Sequence, residues 1–308
     1  MIAIAGGTGR LGRLVAEGLL DRGESVRILT REPARIPGPL ATRVEARRID
    51  VTDPRRLAEA VQGADTVVSA ITGFGGPGAA GAWAVDRAGN LALIEAAEAA
   101  GVRRFVLVSV ARAAPDSPVR LFRAKWDAEQ RLRSSRLEWT IVRPTAYTET
   151  WIDVVGRPLL ASGRTRVFGR GRNPVDFVSV VDVARVIEEI IATGGFAGEA
   201  LVVAGEDHTM DELVEAVERA SGRTGRVDHA SPAMMRLLAA VLRVVRPVLA
   251  DQIRAGLLMD TADMRMSPAE RLERFPSIPV TTLEEAIARE LRPASAAPLP
   301  SPAPVRPG

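Results

Sequence analysis

Glycines at Gly6, Gly9 and Gly12 lie between an apolar run, Ile2–Ala5, and an amphipathic run, Arg10–Arg22, and this junction constrains the fold more than any other feature. Residues without a Cβ permit the tight turn, let backbone amides approach a pyrophosphate, and let the helix pack closely on the strand; the helix N-terminus then adds free N–H groups and positive potential. Two spacings fit: GxxGxxG through Gly6, Gly9 and Gly12, and GxGxxG through Gly7, Gly9 and Gly12. Either predicts a dinucleotide phosphate site formed by Gly6, Thr8, Gly9, Arg10, Leu11 and Gly12.

Short apolar runs then alternate with helix-length amphipathic ones. Their spacing predicts strands at Ile2–Ala5, Ser25–Leu29, Val44–Ile49, Thr66–Ala70, Phe105–Ser109 and Trp139–Val142. Helices fall near Arg10–Arg22, Pro54–Gln62, Ala82–Ala100 and Val119–Ser134. This is the pattern of an α/β fold: a Rossmann-type doubly wound parallel sheet, with ligand outside the carboxyl ends of its strands. After Arg143-Pro144 the alternation breaks, and Thr148–Asn173 reads as a helix followed by a Gly- and Arg-rich loop. Val175–Val178, the helix Val181–Thr193 and Ala200–Ala204 read as a return to the sheet. The expected organisation is a nucleotide-binding domain over 1–205 with an insertion at about 146–175, then a smaller C-terminal substrate-side lobe over 206–292. The Pro-, Ala- and Ser-rich stretch 293–308 is too poor in apolar surface to order itself.

Composition narrows the chemistry. The formal net charge of the 308 residues is only +3, so the high isoelectric point reflects arginine abundance rather than a strong positive field, and no nucleic-acid partner is expected. With no Cys and only His208 and His229, disulfides, thiolate nucleophiles and the usual zinc sites are not expected. The first strand begins at Met1-Ile2, which predicts a cytoplasmic protein with no leader. The stretch Met234–Leu249 is interrupted by Arg236, Arg243, Arg246 and Pro247, too short and too charged to span a bilayer. The apolar side of Pro232–Leu258 is expected to pack as a lid over the substrate cleft or against a second subunit, with a membrane surface as the weaker alternative. A small-molecule substrate and a monomer or homodimer are expected.

The end of the second strand selects the nucleotide. It reads Thr30-Arg31-Glu32. An acid at the end of this strand would hold the 2′-hydroxyl of NAD, whereas the Arg31 guanidinium suits a 2′-phosphate, so NADP(H) is preferred and NAD(H) remains possible. The competing reading turns Glu32 inward as the ribose acid.

With Gly6–Gly12, Arg31, Asp50-Val51, a strand ending at Ser109, Lys125 and Arg143-Pro144 in this order, residues 1–205 resemble the NmrA-like branch of the atypical short-chain dehydrogenase/reductases. The resemblance implies that Asp50 and Val51 flank the adenine, Ala70 and Ile71 lie along the cofactor, and Pro144 and Thr145 approach the nicotinamide. Asp50 also reads as a helix cap, and Pro144 as a strand end. Typical members of the wider superfamily use Ser, Tyr and a Lys four residues beyond the Tyr. Here Leu121 stands in the Tyr position, while Lys125 and Ser109 match the other two.

Lys125 is the single lysine among 41 basic residues, which singles it out as a ribose clamp or proton donor. Tyr147, the single tyrosine, is a candidate substitute for the missing acid or a pocket wall. Arg170 and Arg172 read as a solvated turn or a contact for an acidic substrate. The function expected is an NADPH-dependent reductase of a small carbonyl, enone or quinone-like molecule; the alternative is a dinucleotide redox sensor or assembly factor without turnover.

Overall fold

The computed structural model describes residues 1–75 and 81–292; the stretch expected to be a disordered tail lies outside the described residues. The first half alternates as the periodicity requires: β1 (Ile2–Ala5), α1 (Arg10–Asp21), β2 (Val26–Thr30), α2 (Gly38–Ala41), β3 (Glu45–Arg48), α3 (Leu57–Val61), β4 (Thr66–Ser69), α4 (Asn90–Ala99), β5 (Arg104–Val108), α5 (Arg120–Arg133) and β6 (Glu138–Pro144). A wider helical turn, Trp83–Gly89, leads into α4.

With β10 (Glu199–Val203), these strands form one parallel sheet of seven in the order β10-β6-β5-β4-β1-β2-β3. The chain leaves β1 in one direction for β2 and β3 and in the other for β4 onward, so the switch point lies over the β1–α1 turn. The central strands are apolar on both faces because helices cover both. Ile2 and Ile4 face a core with Val15 and Leu19 of α1 and Ile187, whereas Ala3 and Ala5 face Leu57, Leu93 and Leu132. The edge strand β3 reads Glu-Ala-Arg-Arg, and its charges discourage pairing with another chain.

The second half departs from the expected pattern. β7 (Ala146–Tyr147) is followed by α6 (Thr148–Trp151), α7 (Arg157–Ser162), β8 (Arg164–Phe168), β9 (Val175–Val178) and α8 (Val180–Thr193). Beyond β10 come β11 (Glu206–His208), α9 (Met210–Ser221), β12 (Arg226–Ala230), α10 (Pro232–Val245), α11 (Pro247–Thr261), α12 (Ala269–Arg274) and α13 (Leu283–Glu290). β9 does not rejoin the main sheet. It lies between β11 and β7 in a sheet of three, and β10 alone takes the place beside β6. Part of the expected Gly- and Arg-rich loop is strand β8, which pairs in parallel with β12. Thr165 and Val167 are buried while Arg164 and Arg166 are exposed, the two-residue period of a half-buried strand.

Candidate functional site

The β1–α1 turn is built for close approach. A Cβ at Gly6, whose φ is +83°, would stand 2.6 Å from the Ala70 carbonyl oxygen, and one at Gly12 would stand 2.4 Å from that of Gly6. Gly9 caps α1 without any side-chain hydrogen bond, and no acid lies in the first turn. The first helical bond runs from the Arg13 amide to the Gly9 carbonyl, so the amides of Arg10, Leu11 and Gly12 precede the ladder. An acid-free helix start with free amides, closed by glycines on which a side chain would collide, fits a dinucleotide pyrophosphate.

At the end of β2, Thr30 is buried and its hydroxyl accepts from the Glu32 amide. Arg31 and Glu32 are both exposed, and Arg31 forms no ion pair among the described residues. The Asp50 carboxyl is held below its ordinary range first by the Thr52 amide, then by the Thr52 hydroxyl and the charge of Arg31, with burial opposing. Val51 and Ile71 meet over Gly89, where a Cβ would stand 3.1 Å from Val51 and 3.4 Å from Ile71. Arg31, Asp50, Val51 and Ile71 thus follow the carboxyl ends of β2, β3 and β4.

Lys125 is buried, and its ammonium is spoken for. It donates to the carbonyls of Ile71 (3.0 Å) and Val108 (2.9 Å) and lies 3.1 Å from the Asp86 carboxylate, an ion pair without aligned hydrogen-bond geometry. Two of its three donors are spent on carbonyls, and the carboxylate of Asp86 meets its charge. Asp86, fully buried, also accepts from the Gly73 amide, and its own carbonyl accepts from Asn90, to which Ser69 donates. One turn further along α5, buried Glu129 accepts from Ser109 and from Arg143 through both of its oxygens. Ser109 thus faces a carboxylate inside the protein. Leu121, Lys125 and Glu129 share one side of α5, and charges at i and i+4 on an otherwise buried stripe are a signal that sequence periodicity carries. Asp86, Asn90 and Arg143 carry no such signal.

Leu121 belongs to an apolar cluster with Ala82, Val119 and Ala124, closed by Phe74, Phe122 and, from α11, Ala255 and Leu258. The Tyr147 hydroxyl is buried with no hydrogen-bond partner among the described residues. Burial, and secondarily the Glu149 carboxylate, push that phenol well above its ordinary value. Beside it in sequence, the Thr145 hydroxyl has no aligned partner either; it faces Asp176, whose Oδ1 accepts from the Gly205 amide. Burial raises the Asp176 carboxyl above the usual range, against the opposing effects of Thr145, Gly205 and Arg271. Pro144 is buried, and its carbonyl accepts from the Ala111 amide.

Two arginine sets lie elsewhere. Arg10 reaches Asp153 (3.0 Å) and Glu290 (3.4 Å), acids from the second half of the chain that also hold Arg157. Arg170 is tied to Asp260, and with Arg172, Asn173, Asp211 and His229 it lines an open cleft of about 560 Å³ that contains none of the residues expected to hold the cofactor.

A family described as NAD(P)H-binding matches residues 6–194. The chain belongs to that family. Its relatives include the (4-alkanoyl-5-oxo-2,5-dihydrofuran-3-yl)methyl phosphate reductase of Streptomyces griseus, 33% identical over 245 residues, which span 76% of this chain and 80% of that one. The photosystem II assembly factor of Synechocystis is 28% identical over 247 residues, or 79% of this chain and 74% of that one. Among solved structures, the NADPH complex of an Escherichia coli NADPH-dependent quinone oxidoreductase superposes with a TM-score of 0.77 at 25% identity, covering 95% of this chain and all of that one. These neighbours agree with the NmrA-like, atypical short-chain dehydrogenase/reductase character read from the motifs.

Proposed function

We propose that this chain is a cytoplasmic NADPH-dependent reductase of a small, largely apolar carbonyl, enone or quinone-like acceptor. The observation that carries the cofactor half is the acid-free glycine cradle together with Arg31, an exposed guanidinium without an ion pair among the described residues, at the strand end where a 2′-phosphate belongs. The pyrophosphate lies on Gly6, Thr8, Gly9, Arg10, Leu11 and Gly12, the adenine beside Asp50 and Val51, and the remainder along Ala70 and Ile71 toward Pro144 and Thr145. Residues 1–205 hold the cofactor, and 146–175 with 206–292 supply the acceptor side.

NADPH held by the glycine turn and Arg31 would supply a hydride, which with one proton would take a quinone to the hydroquinone and leave NADP⁺. The chain's own part is to orient and to exclude water. Leu121 carries no proton, Lys125 is buried between two carbonyls and the Asp86 carboxylate, and the Tyr147 hydroxyl is buried with a raised pKa, so the proton comes from solvent. Lys125 acts as a positioning residue, drawing the ends of β4 and β5 together beside the cofactor, and Ser109 orients Glu129. The apolar cluster around Leu121 and Phe74 suits a flat, weakly polar acceptor.

Arg31→Ala tests the cofactor assignment, with an expected loss of about 1.5–3 kcal/mol in NADP binding, roughly 10- to 100-fold, and little change for NAD. Equal losses for both nucleotides would sink it. A second reading, an assembly factor without turnover, is favoured by the Synechocystis relative and by the absent acid at Leu121. Steady NADPH consumption with a panel of quinones and enones decides for the reductase; tight NADP binding with no consumption decides against it.

A further inference from the structure

α10 is amphipathic, but its apolar side is not used. Only Met235 and Ala239 are buried, while Met234, Leu237, Leu238, Val241, Val244 and Val245 are exposed, Leu237 at 66% and Val244 at 82%. At 100° per residue the six exposed side chains fall within an arc of about 120°, and Arg236 and Arg243 lie on the far side of the helix. The face is therefore not a lid closed on the cleft, which corrects the first of the expectations for this segment. The lid-like contacts belong to α11 instead: Ala255 and Leu258 pack on the Leu121 cluster, and Gln252 donates to the Phe74 carbonyl at 2.7 Å.

We infer that the exposed face of α10 docks in the interfacial layer of an anionic lipid bilayer. Charge speaks for this occupant. From His229 to Ala250 the chain has no Asp or Glu and carries Arg236, Arg243 and Arg246, so the polar side opposite the apolar arc is basic. Area speaks against a second copy: a helix of 14 residues is about 21 Å long and about 10 Å wide, a patch of a few hundred Å², short of the roughly 800 Å² per partner of a stable interface. A bilayer needs no complementary shape, only about 5–10 Å of insertion.

No helix of the described residues is long and apolar enough to cross a membrane, so α10 lies in the plane of the interface. On the reductase reading, on which only this consequence rests, the acceptor is a lipid-dissolved quinone that enters past α11.

The full chain at low salt is mixed with vesicles of phosphatidylglycerol and phosphatidylcholine, or of phosphatidylcholine alone, and sedimented. The wild type is expected to pellet in proportion to the anionic lipid, and the triple variant Leu237→Glu, Val241→Glu, Val244→Glu to partition at least tenfold more weakly at an unchanged Tm and NADP affinity. A wild type that stays in the supernatant overturns the inference. So does a dimer by light scattering that the triple variant dissociates without any vesicle binding, since the face then belongs to a second copy. Vesicle binding without quinone turnover leaves the docking intact and counts against the reductase alone.

Discussion

Lys125 and Arg271 are both buried cations held by a fully buried aspartate and backbone carbonyls, yet they sit in halves of the molecule assembled in different ways. Lys125 lies in the regular βα alternation, and its point charge reaches the ends of two neighbouring strands through Ile71 and Val108. Arg271 lies in α12, and its planar fork reaches the carbonyls of Ala204 (3.0 Å), Ile278 (3.1 Å) and Pro279 (2.7 Å), with Asp182 at 3.3 Å. Asp182 in turn accepts from the amide and hydroxyl of Thr281. Lysine draws together strand ends that neighbouring helices already bring close. Arginine fastens a segment to a sheet edge that nothing local brings near it, 67 residues away at Ala204. Burial of a cation is costly in either place, so each is retained for the arrangement it enforces rather than for net stability.

The largest expected effect that would break this comparison is at Arg271. Arg271→Met leaves Asp182 buried and unpaired with three carbonyls orphaned, and denaturant unfolding is expected to show a loss of about 3–5 kcal/mol. A loss below about 1 kcal/mol would mean that the second half is fastened elsewhere.

A smaller cost is expected at Lys125, which donates to two carbonyls where Arg271 donates to three. Lys125→Met should lose about 2–3 kcal/mol, most of it restored in the double variant with Asp86→Asn, because the harm comes from the uncompensated carboxylate. Lys125→Arg should lower Tm and NADP affinity together, since a wide fork cannot fill a place shaped for one nitrogen. An unchanged Tm for that variant with NADP affinity alone reduced would instead indicate direct contact between Lys125 and the cofactor.

The smallest effect sharpens the boundary between the two halves, where Asp176 faces Thr145 at the end of β6 and also feels Arg271. Because its folded pKa is raised, the unfolded chain releases this proton first as pH rises, and the penalty grows through the folded pKa to its full size near neutrality. Below the ordinary Asp range both states are protonated and no penalty remains. Asp176→Asn is therefore expected to raise stability by about 1 kcal/mol at pH 7 and by nothing near pH 3, read from melts across that range. A gain at pH 3 as large as at pH 7 would show that the cause is not charge burial.

The glycine cradle and the alternation of the first six strands with helices were legible because their causes are local: a glycine where a side chain collides, and a run of Ile and Val between two helices. The strand at β8 was missed, although it alternates, because the Gly- and Arg-rich stretch around it reads as loop and its partner β12 lies some sixty residues on. β9 was read correctly as a strand and given to the wrong sheet. Nothing in Val-Asp-Phe-Val says which edge it will find, and β10 competes for the one beside β6.

By itself, then, the order of residues pointed to the dinucleotide-binding fold, through the glycines of the β1–α1 turn and the Arg31 that follows β2. It also determined that no tyrosine stands four residues before Lys125. Only the tertiary structure decided that Lys125 is held inside the protein by two carbonyls and the Asp86 carboxylate, that Ser109 faces Glu129, and that the Tyr147 hydroxyl is buried. It alone showed that Arg271 is buried against three carbonyls and Asp182. The physical reason is that hydrophobic period and turn geometry act over a few residues, whereas the partner of a buried charge is set by whichever distant backbone carbonyls and carboxylates the packing brings to it.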